Sequence, residues 1–161
     1  MTPGKILHPI QVLNRQRRYR IDRNSVISFC ATVLKSLGVP AAQSLSVVFV
    51  GASRIQSMNC QYRWKDYATD VLSFSYEGVK LDGFSFLGEI VIAPEVAFNH
   101  AIRSGTQPER ELRKILVHGI LHLLGYDHES DQGQMNRLQT KLLRRKFILN
   151  SPSLADFRAN P

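Results

Sequence analysis

Apolar positions along the chain alternate between the two-residue spacing of strands and the three-to-four-residue spacing of helices. Ile6 to Leu13 predicts a first strand. Asp22 is then a candidate N-cap for a helix over Arg23 to Leu37, with Val26, Ile27, Phe29, Cys30, Val33, Leu34 and Leu37 on its buried face. Gly38 and Pro40 end it. Leu45 to Val50 is almost wholly apolar, as in a strand covered on both faces. Ser53 is a candidate cap for a second helix to about Tyr62, with Ile55 and Met58 inward and Tyr62 a further inward candidate.

Val71 to Tyr76 and Gly88 to Ala93 read as two more strands, separated by a loop over Glu77 to Phe86 with turn signals at Gly78 and Asp82-Gly83. Pro94 opens a short helix ending near Gly105. Thr106-Gln107-Pro108-Glu109 has the form of a capping box, which predicts a helix from Pro108 to about Leu124, stopped by Gly125. A last basic helix is expected over Asp131 to Leu149, with Met135, Leu138, Leu142 and Leu143 inward and a loose tail after it, from residue 150 on. The resulting order, βαβα-ββ-ααα, predicts an α+β fold verging on α/β. About four strands in a mixed sheet pack with about five helices in a single domain over residues 1–161.

The composition supports a folded, water-soluble chain. Hydrophobic residues are 43% and charged residues 21%, which excludes a disordered or fibrous protein. Two cysteines exclude a disulfide framework and point to a reducing compartment, here the cytoplasm. No apolar run approaches the ~20 residues that span a bilayer, so no membrane association is expected. The first 21 residues are Arg-rich and lack acids, as a transit peptide would, but they run directly into a credible strand and helix.

The net charge of +8 is unevenly placed. Residues 1–23 hold six basic side chains against Asp22, and residues 137–158 hold six against Asp156, while the middle of the chain is slightly acidic. Two basic end segments suit either a polyanion such as nucleic acid or a merely solvated face. Arg17, Arg18, Arg144, Arg145 and Lys146 are the candidate residues for holding such a nucleic acid.

Three of the five histidines, His118, His122 and His128, fall within eleven residues. His118 and His122 are four apart on the predicted helix and so share one face. Gly125 permits the sharp turn that brings His128 back to the same point. Three imidazoles without a fourth protein ligand describe a catalytic zinc site, in which the ion lowers the pKa of a bound water to ~7 and polarises a carbonyl or phosphoryl oxygen. The spacing is that of the zinc proteases, H-E-x-x-H-x-x-G-x-x-H, except that Gly119 stands where those enzymes carry their general base. Peptide hydrolysis by that route is therefore disfavoured.

The stretch from His118 to His128 resembles the H-G-x-L-H-L-x-G-Y-D-H signature of the YbeY endoribonucleases, bacterial ribosomal-RNA maturation factors. Asn59-Cys60-Gln61-Tyr62-Arg63, Asp66 and Thr69-Asp70-Val71-Leu72-Ser73-Phe74 resemble a second block of that family, and Leu87-Gly88-Glu89-Ile90 a third. The chain departs from the family at Ala68 and Ser75, where Pro is usual, and at Glu89, where Asp is usual; none is a predicted ligand.

The resemblance implies one zinc ion, or another divalent transition metal, on His118, His122 and His128 in a zincin-like site on the C-terminal helix and following turn. It also implies a functional arginine at Arg63, whose guanidinium can grip a phosphate through two N–H groups. Arg63 and His118 are thus the expected catalytic residues. Asp127 reads as a turn-stabilising residue or a ligand orienter. Asp70 and Glu89 read as strand-end caps or supports for the site. Trp64 and Tyr67 suit either stacking on bases or packing of their loop.

The expected function is a metal-dependent endoribonuclease directed at single strands. It would act in maturation of the small-subunit ribosomal RNA 3′ end and in ribosome quality control. The expected partners are ribosomal RNA and the ribosome or its small subunit, with the subunit's proteins as further candidates, and the expected state is a monomer or weak oligomer. With no carboxylate at position 119, the general base stays open among the bound water, a second water and the RNA's own 2′-OH. The rival readings are an RNA-binding ribosome assembly factor with a structural metal, and a metal-dependent hydrolase of another substrate.

Overall fold

A computed structural model describes residues 9–76, 78–81 and 83–158. Strand β1 (Ile10–Asn14) leads through the short β2 (Arg20–Ile21) into helix α1 (Arg23–Ser36). Asp22 caps α1 as expected, its carboxylate accepting from the Ser25 amide at 3.0 Å. The chain returns as β3 (Gln43–Phe49), crosses in α2 (Ala52–Arg63), and forms β4 (Val71–Ser75), β5 (Lys80–Leu81) and β6 (Phe84–Ile92). Four helices follow, α3 (Pro94–Arg103), α4 (Pro108–Leu123), α5 (Gln134–Leu143) and α6 (Lys146–Leu149), and then the short β7 (Ala155–Asp156).

The main sheet runs β1-β3-β6-β4, with β1, β3 and β6 parallel and β4 antiparallel at one edge. The two-residue β5 pairs with the start of β6, so Lys80, Leu81, Phe84, Ser85 and Phe86 of the expected loop are strand. Alternation along the central strands divides the interior. Leu45, Val47 and Phe49 of β3, with Ile90 and Ile92 of β6, face a large core shared with α1, α3, α4 and α5. Val48, Val50, Val91 and Leu72 face the other way, against Ile55 and Met58 of α2. Both faces of β3 are therefore dry, as its apolar run predicts.

Three expected caps and boundaries differ. Helix α2 is capped by Gly51 with no side-chain bond, and Ser53 lies inside its first turn. Helix α4 starts without the Thr106 capping box, because the Glu109 carboxylate turns instead to the Leu154 amide (3.1 Å) and the Ser153 hydroxyl (3.1 Å). The last helix is broken at Arg144 and Arg145 into α5 and α6.

The segment after residue 150, expected to be loose, is docked through residue 158. Leu154 is fully buried, β7 pairs antiparallel with β2, and Phe157 meets the Phe98 ring edge-on at 4.8 Å. Arg113 of α4 reinforces this: its guanidinium donates to the carbonyls of Ile148 (2.7 Å) and Ser151 (2.8 Å) while its Nε pairs with Glu109 at 3.0 Å. The tail is held because α4 supplies both an acceptor and a donor for backbone groups that leave the helix. Residues 1–8, which include His8 and the start of the expected first strand, lie outside the described residues, as do Glu77, Asp82 and 159–161.

Candidate metal centre

Helix α4 is buried on most of its circumference by Leu112, Ile115, Leu116, Ile120, Leu121 and Leu123. His118 and His122 emerge on the remaining side, one turn apart, with ring centroids 4.5 Å apart and their Nε2 atoms 3.0 Å apart. Gly125 then takes φ +94°, which reverses the chain while its amide donates to the His122 carbonyl and that of Tyr126 to the Leu121 carbonyl, both at 3.0 Å. Asp127 holds the following turn. One carboxylate oxygen accepts from the Glu129 amide (3.0 Å) and the other from the Ser130 hydroxyl (2.9 Å), so the turn-stabilising role is the observed one.

This turn delivers His128, whose ring lies 5.3 Å from His118 and 5.2 Å from His122. One donor nitrogen from each of the three rings lies within 4.8 Å of the others. A tetrahedral ion with Zn–N near 2.0–2.1 Å holds its nitrogens about 3.4 Å apart. The observed spacing brackets that value, and the exposed His128 is free to close the remainder. The donor chemistry fits as well, since imidazole is a preferred zinc ligand.

The sequence reading did not single out Gln139. Its side chain is buried on the inner face of α5, and its Oε1 accepts from His118 Nδ1 at 3.0 Å. An amide oxygen only accepts, so Nδ1 carries the proton and Nε2 presents its lone pair towards the other two rings. A polar residue four after Met135 and three before Leu142, on an otherwise apolar stripe, was the signal that marked it.

Burial, with the charge of His122 next, holds His118 below the usual histidine range, and burial with His128 does the same for His122. Both are therefore neutral at pH 7, the form that binds a metal. Gly119 has a packing role: a Cβ there would come within 2.9 Å of Ile90 Cγ2 and 3.0 Å of its Cδ1. The position that carries a carboxylate in the zinc proteases lies here against the sheet, where no carboxylate fits.

Of the other expected residues, Arg63 is exposed at the end of α2, and its charge acts on His122. Asp70 acts on His118 from the start of β4 and sits 3.8 Å from His100 Nδ1. Buried Asn59 donates to the Tyr67 carbonyl at 3.0 Å and so anchors the loop that follows Arg63. Arg18 pairs with Glu95 at 3.2 Å and Arg17 is exposed beside it. Arg144 and Lys146 are exposed, while Arg145 lies over the Phe147 ring at 5.9 Å. The structure adds Arg137 and Lys141, which line a shallow groove on the outer face of α5 together with Arg144.

The sequence profile of the endoribonuclease YbeY family matches residues 11–146. The endoribonuclease YbeY of Thermodesulfovibrio yellowstonii is 39% identical over 150 residues, covering 83% of this chain and 94% of its own. That of Pelotomaculum thermopropionicum is 37% identical over 145 residues, covering 86% and 91%. The solution structure of a Thermotoga maritima protein superposes with a TM-score of 0.57 at 28% identity, covering 82% of this chain and 85% of that one. With its histidine triad on α4 and the turn that follows it, and its profile match across both clusters of site residues, the chain belongs to the YbeY endoribonuclease family.

Proposed function

We propose that this chain is a zinc-dependent endoribonuclease that cleaves unpaired segments of ribosomal RNA in maturation of the small-subunit 3′ end and in ribosome quality control. It acts in the cytoplasm as one domain, monomeric or weakly oligomeric, on the ribosome or its small subunit. The observation that carries this reading is the convergence of three imidazoles, one of them oriented by Gln139, with the charge of exposed Arg63 acting on His122.

His118, His122 and His128 would hold the ion, which when bound supplies Lewis-acid chemistry at a phosphoryl oxygen. Gln139 keeps the His118 ring in the donor tautomer. Arg63 offers a planar pair of N–H donors to the phosphodiester and stabilises the charge that grows on it during displacement. Asp127 fixes the turn that positions His128. With Gly119 against Ile90, α4 provides no carboxylate base next to His118, so the proton lost by the attacking water, or by the RNA's own 2′-OH, passes to solvent water.

A purely structural metal is disfavoured because α4 and α5 already pack through Leu116, Ile120, Met135 and Leu142, all fully buried. The deciding experiment is cleavage of a structured ribosomal-RNA fragment by wild type and by His118→Ala, with zinc content and circular dichroism measured on both. Loss of zinc and of cleavage with the fold kept supports the enzyme. Unfolding on loss of zinc, with RNA binding retained by the wild type but no cleavage, supports an assembly factor instead.

A further inference from the structure

Helix α2 ends in an unusual way. Trp64, the only tryptophan of the chain, caps it at φ +59°, and among the described residues no other non-glycine residue has a positive φ. The left-handed cap is normally glycine's, because a Cβ is disfavoured there. The conformation is locked from both sides. The Trp64 amide donates to the Cys60 carbonyl (3.1 Å), that of Lys65 to the Asn59 carbonyl (3.3 Å), and the Asn59 side chain pins Tyr67.

The indole carried on this backbone has no packing partner among the described residues. It is 91% exposed and has no ring contact among the described residues, whereas neighbouring Tyr62 meets the Phe74 ring edge-on at 5.2 Å. Packing therefore does not account for a tryptophan at this strained position. Its surroundings are charged: exposed Arg63 precedes it and exposed Lys65 follows it, while Asp66 is engaged by the Gln56 amide at 3.1 Å. A protein-binding hot spot needs an apolar surround that excludes water, and these neighbours do not form one. An exposed aromatic face on a fixed backbone, flanked by two cations, matches an unpaired nucleotide, with the base on the ring and its phosphates on the cations.

We infer that the Trp64 indole is a stacking platform for one unpaired base of the RNA strand whose backbone passes Arg63. The inference rests on the endoribonuclease reading and adds the feature that selects single strands. Fixing the backbone that carries the indole lowers the ordering cost of binding, which gives the strained cap a purpose.

Because Trp64 is the sole tryptophan, its emission reports directly on the contact. Zinc-loaded wild type is titrated with a cleavage-resistant phosphorothioate oligoadenylate of about eight nucleotides. Quenching that saturates with binding is expected. Trp64→Gly weakens affinity about five- to 150-fold, the range of a lost stacked base. The same variant raises the thermal midpoint, since glycine relaxes the cap, and Trp64→Tyr keeps most of the affinity. Binding without quenching, or equal affinity of Trp64→Gly, overturns the inference while leaving the nuclease in place. Failure of the wild type to bind or cleave any RNA removes the enzyme reading, and the platform with it.

Discussion

His118 Nδ1 lies 3.0 Å from Gln139 Oε1, so a ligand on α4 takes its tautomer from α5, 21 residues further along. Replacing Gln139 by Met keeps the volume and the apolar face but removes the acceptor. Zinc affinity is expected to fall about 10- to 100-fold, the usual effect of losing a group that orients a ligand. Competition against a chromophoric chelator measures this. An unchanged affinity would make Gln139 a packing residue only.

The histidines make the metal-free protein sensitive to acid. Burial first, and neighbouring imidazoles second, lower His118 and His122 from 6.5. A histidine depressed in the fold binds fewer protons there than in the unfolded chain. Its stabilising contribution is present above pH 6.5 and is lost as pH falls below it. The thermal midpoint of the metal-free protein should therefore drop between pH 7 and pH 5. Zinc steepens the slope, since protons compete for the same nitrogens. A midpoint that is flat or rises on acidification contradicts this assignment.

Gly119 sets two effects against each other. Alanine gains about 1 kcal/mol of helix propensity, but its Cβ would press on Ile90, which is fully buried and branched next to its backbone. Overpacking costs about 1–3 kcal/mol, so Gly119→Ala should be destabilised by up to about 2 kcal/mol in urea unfolding. Gly119→Glu, which restores the protease pattern, should yield an unfolded or metal-free protein and no peptidase activity. A stable, zinc-loaded Gly119→Glu would show that α4 can retreat from the sheet.

Arg113 joins α4 to the end of the chain through Ile148, Ser151 and Glu109. Arg113→Met leaves the carbonyls of Ile148, Leu149 and Ser151 and the Glu109 carboxylate without this partner. A loss of about 2–4 kcal/mol is expected, because hydrogen bonds from a charged, largely buried donor are lost. Limited proteolysis should then cut first after residue 150. Unaltered proteolysis would mean that Leu154 and β7 hold the segment without help.

Arg137, Lys141 and Arg144 recur at one face of α5, opposite the face that carries Gln139. Changing all three to Ser should weaken RNA binding and flatten its salt dependence, since fewer counterions are released, with zinc content unchanged. Changing Arg145 and Lys146 should have the smaller effect, because Arg145 is drawn over Phe147. The reverse ranking would place the RNA on the α6 side.

The convergence of the three histidines was legible from the sequence because it is local: a four-residue helical spacing and a glycine turn bring the three imidazoles together. The alternating apolar runs likewise determined the mixed sheet, since a strand with no polar face has to be covered on both sides. What tertiary structure decided lies in contacts between residues far apart. Gln139 reaches His118 only because α5 folds back on α4, and Gly119 is needed only because α4 crosses β6 at Ile90. Glu109 leaves its expected cap because Leu154, 45 residues later, offers an unpaired amide. Likewise, the choice between packing and presentation at Trp64 depended on what surrounds it in three dimensions, and there the ring faces solvent. Local spacing fixes which groups a turn of backbone brings together. Which buried polar groups find partners is settled only when separate elements meet, because each group must be satisfied by whatever lies opposite it.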